Sequence, residues 1–244
     1  MDEVGINQAL LQKIVYSIGR AVEHDLPEYL QEHRKETNNA TVQLRGDFIN
    51  DNLRRNLVDE EIQLIPFKRF VWEGRIIVDN VNKVTYTDTT KRNLDSIPKK
   101  QRKSPHYLET ILHVENGGLE APVKQLQLLR YPAFDDDVYD DDYSSMFSGY
   151  IQDPQQFRHY VITYEAQNNE LRDVQLHFLD KDFDPIGDAM PLNQYRKLDY
   201  GLLTQTDNSE LDPTDKEIPD VVGSPETIKA ALRTRRTDHA RKVK

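Results

Sequence analysis

The sequence predicts an α+β protein: N-terminal helices, an antiparallel β-meander, a helix, a C-terminal β-hairpin and then a flexible tail. Three observations predict it. Apolar residues recur at helical spacing through the first part of the chain. From Ile62 the period changes to two in a stretch dense in Val, Ile, Thr and Tyr, and it does so again between Arg158 and Phe178. From about Asp199 the apolar density collapses into polar, proline-bearing sequence, which buries too little surface to offset the ordering of its backbone. A core domain is therefore expected over 1–198, with a polar linker and basic tail over 199–244.

The elements follow in order. Leu10, Ile14, Ile18 and Val22 make one helical stripe, widened by Leu11, Val15 and Ala21. Pro27 lacks an amide hydrogen, so it either opens a second short helix, LPEYLQEH, or kinks the first. ETNNAT reads as a polar turn, and Asp47 is the expected N-cap of a helix carrying Phe48, Ile49, Leu53 and Leu57. Strands are expected over 62–70, 71–79 and 84–89, with DNVNK supplying turn residues. Pro66 belongs at a sheet edge or a bulge. Residues 90–98 form a polar helix or loop. A helix over 104–114 turns Tyr107, Leu108, Ile111 and Leu112 inward, with Ser104 as its cap, Pro105 at its first position and ENGG at its end. PVKQLQLLRY fits strand and helix equally, and FDDDVYDDD reads as an acidic segment ahead of a short amphipathic piece. RHYVITYEA and LRDVQLHF alternate on either side of QNNE, which makes the clearest hairpin in the chain, and PLNQYRKL closes the core as a short helix.

Composition narrows the function. Of 244 residues, 37% are apolar and 30% charged, which points to a modest core with polar appendages. The absence of cysteine excludes disulfides, thiolate metal sites and a cysteine nucleophile. No stretch approaches the ~18 apolar residues of a membrane span, and MDEVGINQALLQKIV begins acidic, unlike a signal peptide. A cytoplasmic protein is expected. The net charge of −10 argues against nucleic-acid binding by the whole surface. The sign is uneven, however: residues 227–244 hold Lys229, Arg233, Arg235, Arg236, Arg241, Lys242 and Lys244 against Asp238 alone.

Most catalytic patterns are missing. There is no phosphate-cradling G-x-x-x-x-G-K-[ST], no G-x-G-x-x-G, no G-x-S-x-G elbow and no H-E-x-x-H among the seven histidines. The aspartate run 135–142 lacks the glycine and terminal glutamate of a calcium loop. A metal-dependent nuclease of the PD-(D/E)xK type shares the α–β–β–β–α–β order, but its acid–lysine signature is degenerate here. EGR (Glu73, Arg75) and EAQ (Glu165, Gln167) stand where E-x-K is needed, and Asp79 serves as preceding acid only out of order. That reading requires Glu73, Asp79 and Glu165 to converge on one ion. No metal and no cofactor is assigned.

PKKQRKSPHY concentrates Lys99, Lys100, Arg102 and Lys103 before an expected helix start. Cations there oppose the helix dipole unless an anion sits among them. A phosphate on the Ser104–His106 amides, held by Arg102 and Lys103, satisfies both facts; a solvated loop with screened repulsion is the commoner outcome. Trp72, the only tryptophan, shares a strand face with Gly74 and Ile76 and is expected in the core more than as a ligand platform. Arg45 and Asp47 suggest an ion pair at a helix start.

TNNATVQLRGDFINDNL, IPFKRFVWEGRIIVD, RKSPHYLETIL and FRHYVITYEAQNNELRDVQLHFLDKDF, in that order, resemble a bacterial family of unknown function met mainly in low-GC Gram-positive bacteria and their mobile elements. The resemblance covers about residues 10–198 and brings no activity with it. It implies a bacterial cytoplasmic setting, near regulatory, toxin–antitoxin or phage genes. Within the matching segments the candidate site residues are Asn38, Asn39, Arg45, Asp47, Lys68, Arg69, Trp72, Arg75, Lys103, Ser104, His106 and Tyr107.

The function expected from these features is a non-enzymatic binding or regulatory protein that engages a macromolecular partner, protein or nucleic acid, by electrostatic complementarity. Arg45, Lys68, Arg69, Arg75, Lys103 and His106 would form one anion-facing patch, with Ser104 and Trp72 beside it and the tail as a second contact. The alternatives are the nuclease-like enzyme and an acidic DNA mimic built on the aspartate run.

Overall fold

The computed structural model describes residues 5–34, 36–37, 39–57, 61–69, 72–123, 133–147 and 149–197. The tail, most of PVKQLQLLRY and Asn38 lie outside the described residues.

Asn7 caps α1 (Gln8–Arg20), its side-chain oxygen accepting from the Leu10 amide at 3.0 Å. The stripe Leu10, Ile14, Ile18 is buried, as its spacing requires. The chain runs through one π-helical turn, Ala21–Asp25, into α2 (Leu26–Glu32). Pro27 therefore opens a second short helix, in a first turn where a missing amide hydrogen is tolerated. α3 (Thr41–Asn56) begins six residues before Asp47. Asp47 is exposed inside the helix and is not its cap; Ala40 holds the cap position and offers no side-chain acceptor, so the start leaves no mark in the sequence.

Six strands form one mixed sheet, ordered β1 (Ile62–Arg69), β2 (Trp72–Asp79), β3 (Val84–Thr90), β4 (Arg158–Gln167), β5 (Glu170–Phe178), β6 (Met190–Pro191). The class is the expected α+β. β1–β3 are the antiparallel meander, and β4–β5 are the hairpin, with Asn168 and Asn169 both at positive φ, as its two-residue turn needs. Pro66 sits on β1, an edge strand, where its missing N–H breaks no inner ladder. Local patterning did not disclose that β4 lies parallel to β3, with Val84 opposite Arg158 and Thr90 opposite Tyr164. Meander and hairpin are thus one sheet. A parallel junction needs a long crossover, and residues 91–157 supply it with α4 (Lys91–Ser96), α5 (Tyr107–Glu115) and α6 (Asp136–Phe147).

Each sheet face carries its own core. α1 and α3 pack Leu11, Ile14, Ile49 and Leu53 on Ile77, Tyr86, Tyr160 and Ile162. α4, α5 and α6 pack Leu94, Leu108, Ile111 and Phe147 on Ile65, Phe67, Ile76 and Val161. Each such side chain contributes about 1.5–3 kcal/mol by leaving water. The aspartate run is not a loop: it winds into α6, where Tyr139, Tyr143 and Phe147 recur every four residues on the buried side. Two of its acids are used internally. Asp142 pairs with Arg69 at 2.9 Å, and Asp136 meets His113 at 3.0 Å.

Candidate functional site

The site begins at the open end of the β1–β2 ribbon. Register sets Arg69 opposite Trp72 and Phe67 opposite Gly74, so these four share the face turned towards α5 and α6. Gly74 is there for space. A Cβ on it would stand 2.5 Å from the Trp72 ring and 2.8 Å from that of Phe67. The indole folds over the glycine and stacks on Tyr107 with centroids 4.9 Å apart and planes 25° from parallel. Phe67 meets it edge-on at 5.4 Å, and Tyr107 continues the stack to His106 at 4.4 Å. Trp72 nevertheless stays 47% exposed. This corrects its expected place in the core: one side of the ring is held, the other faces solvent.

His106, not Ser104, caps α5. Its Nδ1 accepts from the Leu108 amide at 3.3 Å, while Glu109 accepts from the His106 amide at 3.1 Å. Pro105 therefore precedes the cap instead of filling the first helical position. The ring is neutral. Burial, then the charges of Arg102, Arg69 and Lys100, push it down to about 3. Those charges are unequally answered. Arg69 has Asp142, and Arg102 donates to the Ile97 carbonyl at 2.7 Å and feels Glu109. Lys99, Lys100 and Lys103 are exposed, with no ion pair among the described residues. A stacked pair of rings flanked by Phe67 and His106, with the indole half in solvent, thus lies beside a loop with three lysines that make no ion pair among the described residues.

The remaining candidates are elsewhere. Strand alternation puts Lys68 and Arg75 on the opposite face, where they line a cleft of about 470 Å³ with Asp47, Asn50, Asp51 and Glu73. Lys68 is paired with Glu73 at 3.2 Å. Arg45 makes no ion pair with Asp47; its Nε is buried without a hydrogen bond, and its charge reaches Tyr164. The expected single patch is therefore two. Trp72, Arg69, Lys103, Ser104 and His106 belong to the α5 side, and Arg45, Lys68 and Arg75 to the α3 side. The nuclease acids do not meet. Glu73 and Asp79 are six residues apart along β2, about 20 Å at strand rise. Asp79 is buried and accepts from the amides of Val81 and Asn82. Among the described residues, no three acidic or imidazole side chains are grouped to hold a metal ion.

Sequence reasoning passed over Gly74, Asp88 and Glu115. The first was legible as a glycine two places after a strand tryptophan. The others sit in VTYTDTT and ENGG, where nothing local marks them. Glu115 is sealed beneath α6. Its carboxyl takes the Tyr143 hydroxyl at 2.7 Å and the Thr85 hydroxyl; Thr85 meets His159 Nδ1 at 2.7 Å, and His159 Nε2 meets Thr87 at 2.9 Å. Burial raises Glu115 to about 7 against the pull of its two hydroxyl donors, and burial lowers His159 to about 3. The network is closed to solvent and pins the crossover to the sheet.

The chain belongs to a family of unknown function, DUF5986, whose model matches residues 3–244. No curated protein and no solved structure matches it significantly. No helix among the described residues is long and apolar enough to cross a membrane.

Proposed function

We propose, for a chain whose family supplies no activity, that this is a binding protein for single-stranded nucleic acid. Bases stack on Trp72, and the cations of the 99–103 loop follow the backbone. Trp72 carries the proposal. A tryptophan seated over a glycine, backed by two further rings and left nearly half exposed, is a surface kept flat and open next to positive charge. Stacking one base on such a ring contributes about 1–3 kcal/mol and tolerates any sequence. Three lysines that make no ion pair among the described residues supply the electrostatic half. The negative charge of the whole chain confines a polyanion to this patch, and the lysine–phosphate contacts make binding fall with salt. A bacterial cytoplasm, and regulatory or toxin–antitoxin genes on mobile elements, are settings that suit such a strand binder.

The test uses the protein's own probe, since Trp72 is its only tryptophan. Oligothymidylate should quench its emission at low salt. Lys100→Glu with Lys103→Glu should weaken binding and lower the logarithmic salt slope by roughly 0.7 for each phosphate no longer neutralised. Trp72→Ala, followed by anisotropy of a labelled strand, should weaken binding at least tenfold, the loss of about 1.4 kcal/mol or more of stacking. An unquenched Trp72 at low salt, or a salt slope untouched by charge reversal, overturns the proposal.

A further inference from the structure

At the end of the sheet that carries Trp72, β2 and β3 part. Their pairing runs from Asp79 opposite Val84 to Ile77 opposite Tyr86 and stops. Beyond it β2 continues back to Trp72 against β1 alone, and β3 continues to Thr90 against β4 alone. Extending the register by two residues sets Arg75 across this gap from Asp88. Tyr107 spans the gap from the stacked side: its ring lies against Trp72, while its hydroxyl meets Thr89 and feels Asp88. Tyr164 also feels Asp88, together with Arg45.

Asp88 is the unusual group. The residue is half-buried, yet among the described residues it makes no ion pair, and its only hydrogen-bond partner is its own backbone N–H. Burial, with no cation to offset it, holds the carboxyl up to about 6, so at neutral pH it is a charged acceptor with unused lone pairs. Arg45 and Arg75 likewise have no carboxylate partner among the described residues, and Arg75 also lines the 470 Å³ cleft on the α3 side. A structural carboxylate would be paired or used as a cap, as Asp79 and Asp180 are.

We propose that Asp88 reads a base of the bound strand, accepting the two adjacent donors of guanine, N1–H and the N2 amino group, while Arg75 and Arg45 take the phosphate attached to it. This rests on the strand-binding reading and names its specificity. Adenine and cytosine present one amino donor beside an acceptor on that edge, and an acceptor facing a carboxylate is repelled. Guanine alone matches both carboxylate oxygens, as bidentate pairs do elsewhere in base recognition. Asp88 sits half-buried where the β2–β3 pairing has stopped, and Tyr107 joins it to the stacking platform.

The experiment compares the full-length protein on single strands that differ at one position, guanine or inosine, which lacks only the N2 amino group. The wild type should prefer guanine by roughly tenfold. Asp88→Asn, which replaces one acceptor with a donor, should erase that preference while still binding oligothymidylate. An unchanged or raised melting temperature in the variant verifies its fold. Equal affinity of the wild type for guanine and inosine strands overturns the assignment while leaving strand binding intact. Guanosine monophosphate alone separates the opposite failure. If no strand binds but the mononucleotide shifts the Asp88 carboxyl carbon resonance, the platform falls and the Asp88 site stands. If neither responds, both fall.

Discussion

Glu115→Gln should cost stability in acid and restore it in base. In the folded chain the Glu115 carboxyl is held up to about 7, whereas an unfolded one titrates near 4.5. Between those values the native state binds a proton that the unfolded state has lost, so Glu115's contribution is complete below about pH 4.5 and fades as pH rises through 7. The interval corresponds to about 3 kcal/mol, an upper figure because the sealed network relaxes when charged. Glutamine cannot ionise. Below pH 4.5 it should cost about 1 kcal/mol, the worth of a carboxyl hydrogen bond to Thr85 or Tyr143 replaced by a poorer one. Near pH 8 it should be the more stable protein by about 1–2 kcal/mol, the difference between these terms. His106 and His159, both pushed down to about 3, act oppositely: their contribution is present above pH 6.5 and lost as pH falls towards 3. The wild-type profile mixes the three, so the informative quantity is the difference between wild type and variant. Urea unfolding at intervals from pH 4.5 to 8 measures it. Parallel profiles would refute the reasoning, because they would mean Glu115 titrates alike folded and unfolded.

Two further outcomes test the local structure. Gly74→Ala should lift the indole from its seat, shifting Trp72 emission to longer wavelength and costing about 1–3 kcal/mol by overpacking; unchanged emission would mean that the ring does not rest there. His106→Ala should cost about 1 kcal/mol through the missing α5 cap. That cost should be largest near pH 8 and shrink or vanish at pH 5, because at pH 5 the unfolded histidine is protonated while the folded ring, pushed down to about 3, is still neutral; an equal cost at both pH values in matched urea melts would show that the ring titrates alike folded and unfolded.

Much of the fold was legible because most elements advertise themselves locally. The stripe Leu10–Ile14–Ile18 and the alternation on either side of Asn168–Asn169 depend only on residues that touch one another. What escaped reading depends on residues far apart. The parallel seam between β3 and β4 is written in neither strand, as each alternates the same way whatever lies beside it. α3 hid its start because Ala40 leaves no signature, and α5 hid its cap because serine is the usual cap and histidine is not. α6 was obscured by composition: six aspartates outweighed Tyr139, Tyr143 and Phe147, although that spacing is helical. The site divided for a simpler reason. Cations near turns look alike in sequence, while the pleat of β1 and β2 sends Arg69 to one face and Lys68 and Arg75 to the other. Trp72 was misjudged because alternation gives a side chain's direction and says nothing about whether a neighbour covers it.

The junction of β3 with β4 also orders events in time. The meander and the hairpin each close short loops, whereas the seam between them waits until all of residues 91–157 have been gathered. A chain emerging from the ribosome therefore carries β3 with an unsatisfied flank until β4 has been synthesised, and joining the two requires closing the longest loop in the sheet. During that interval the exposed flank is where a wrong strand can attach, so the same seam that completes the sheet is the point at which its assembly is most easily diverted.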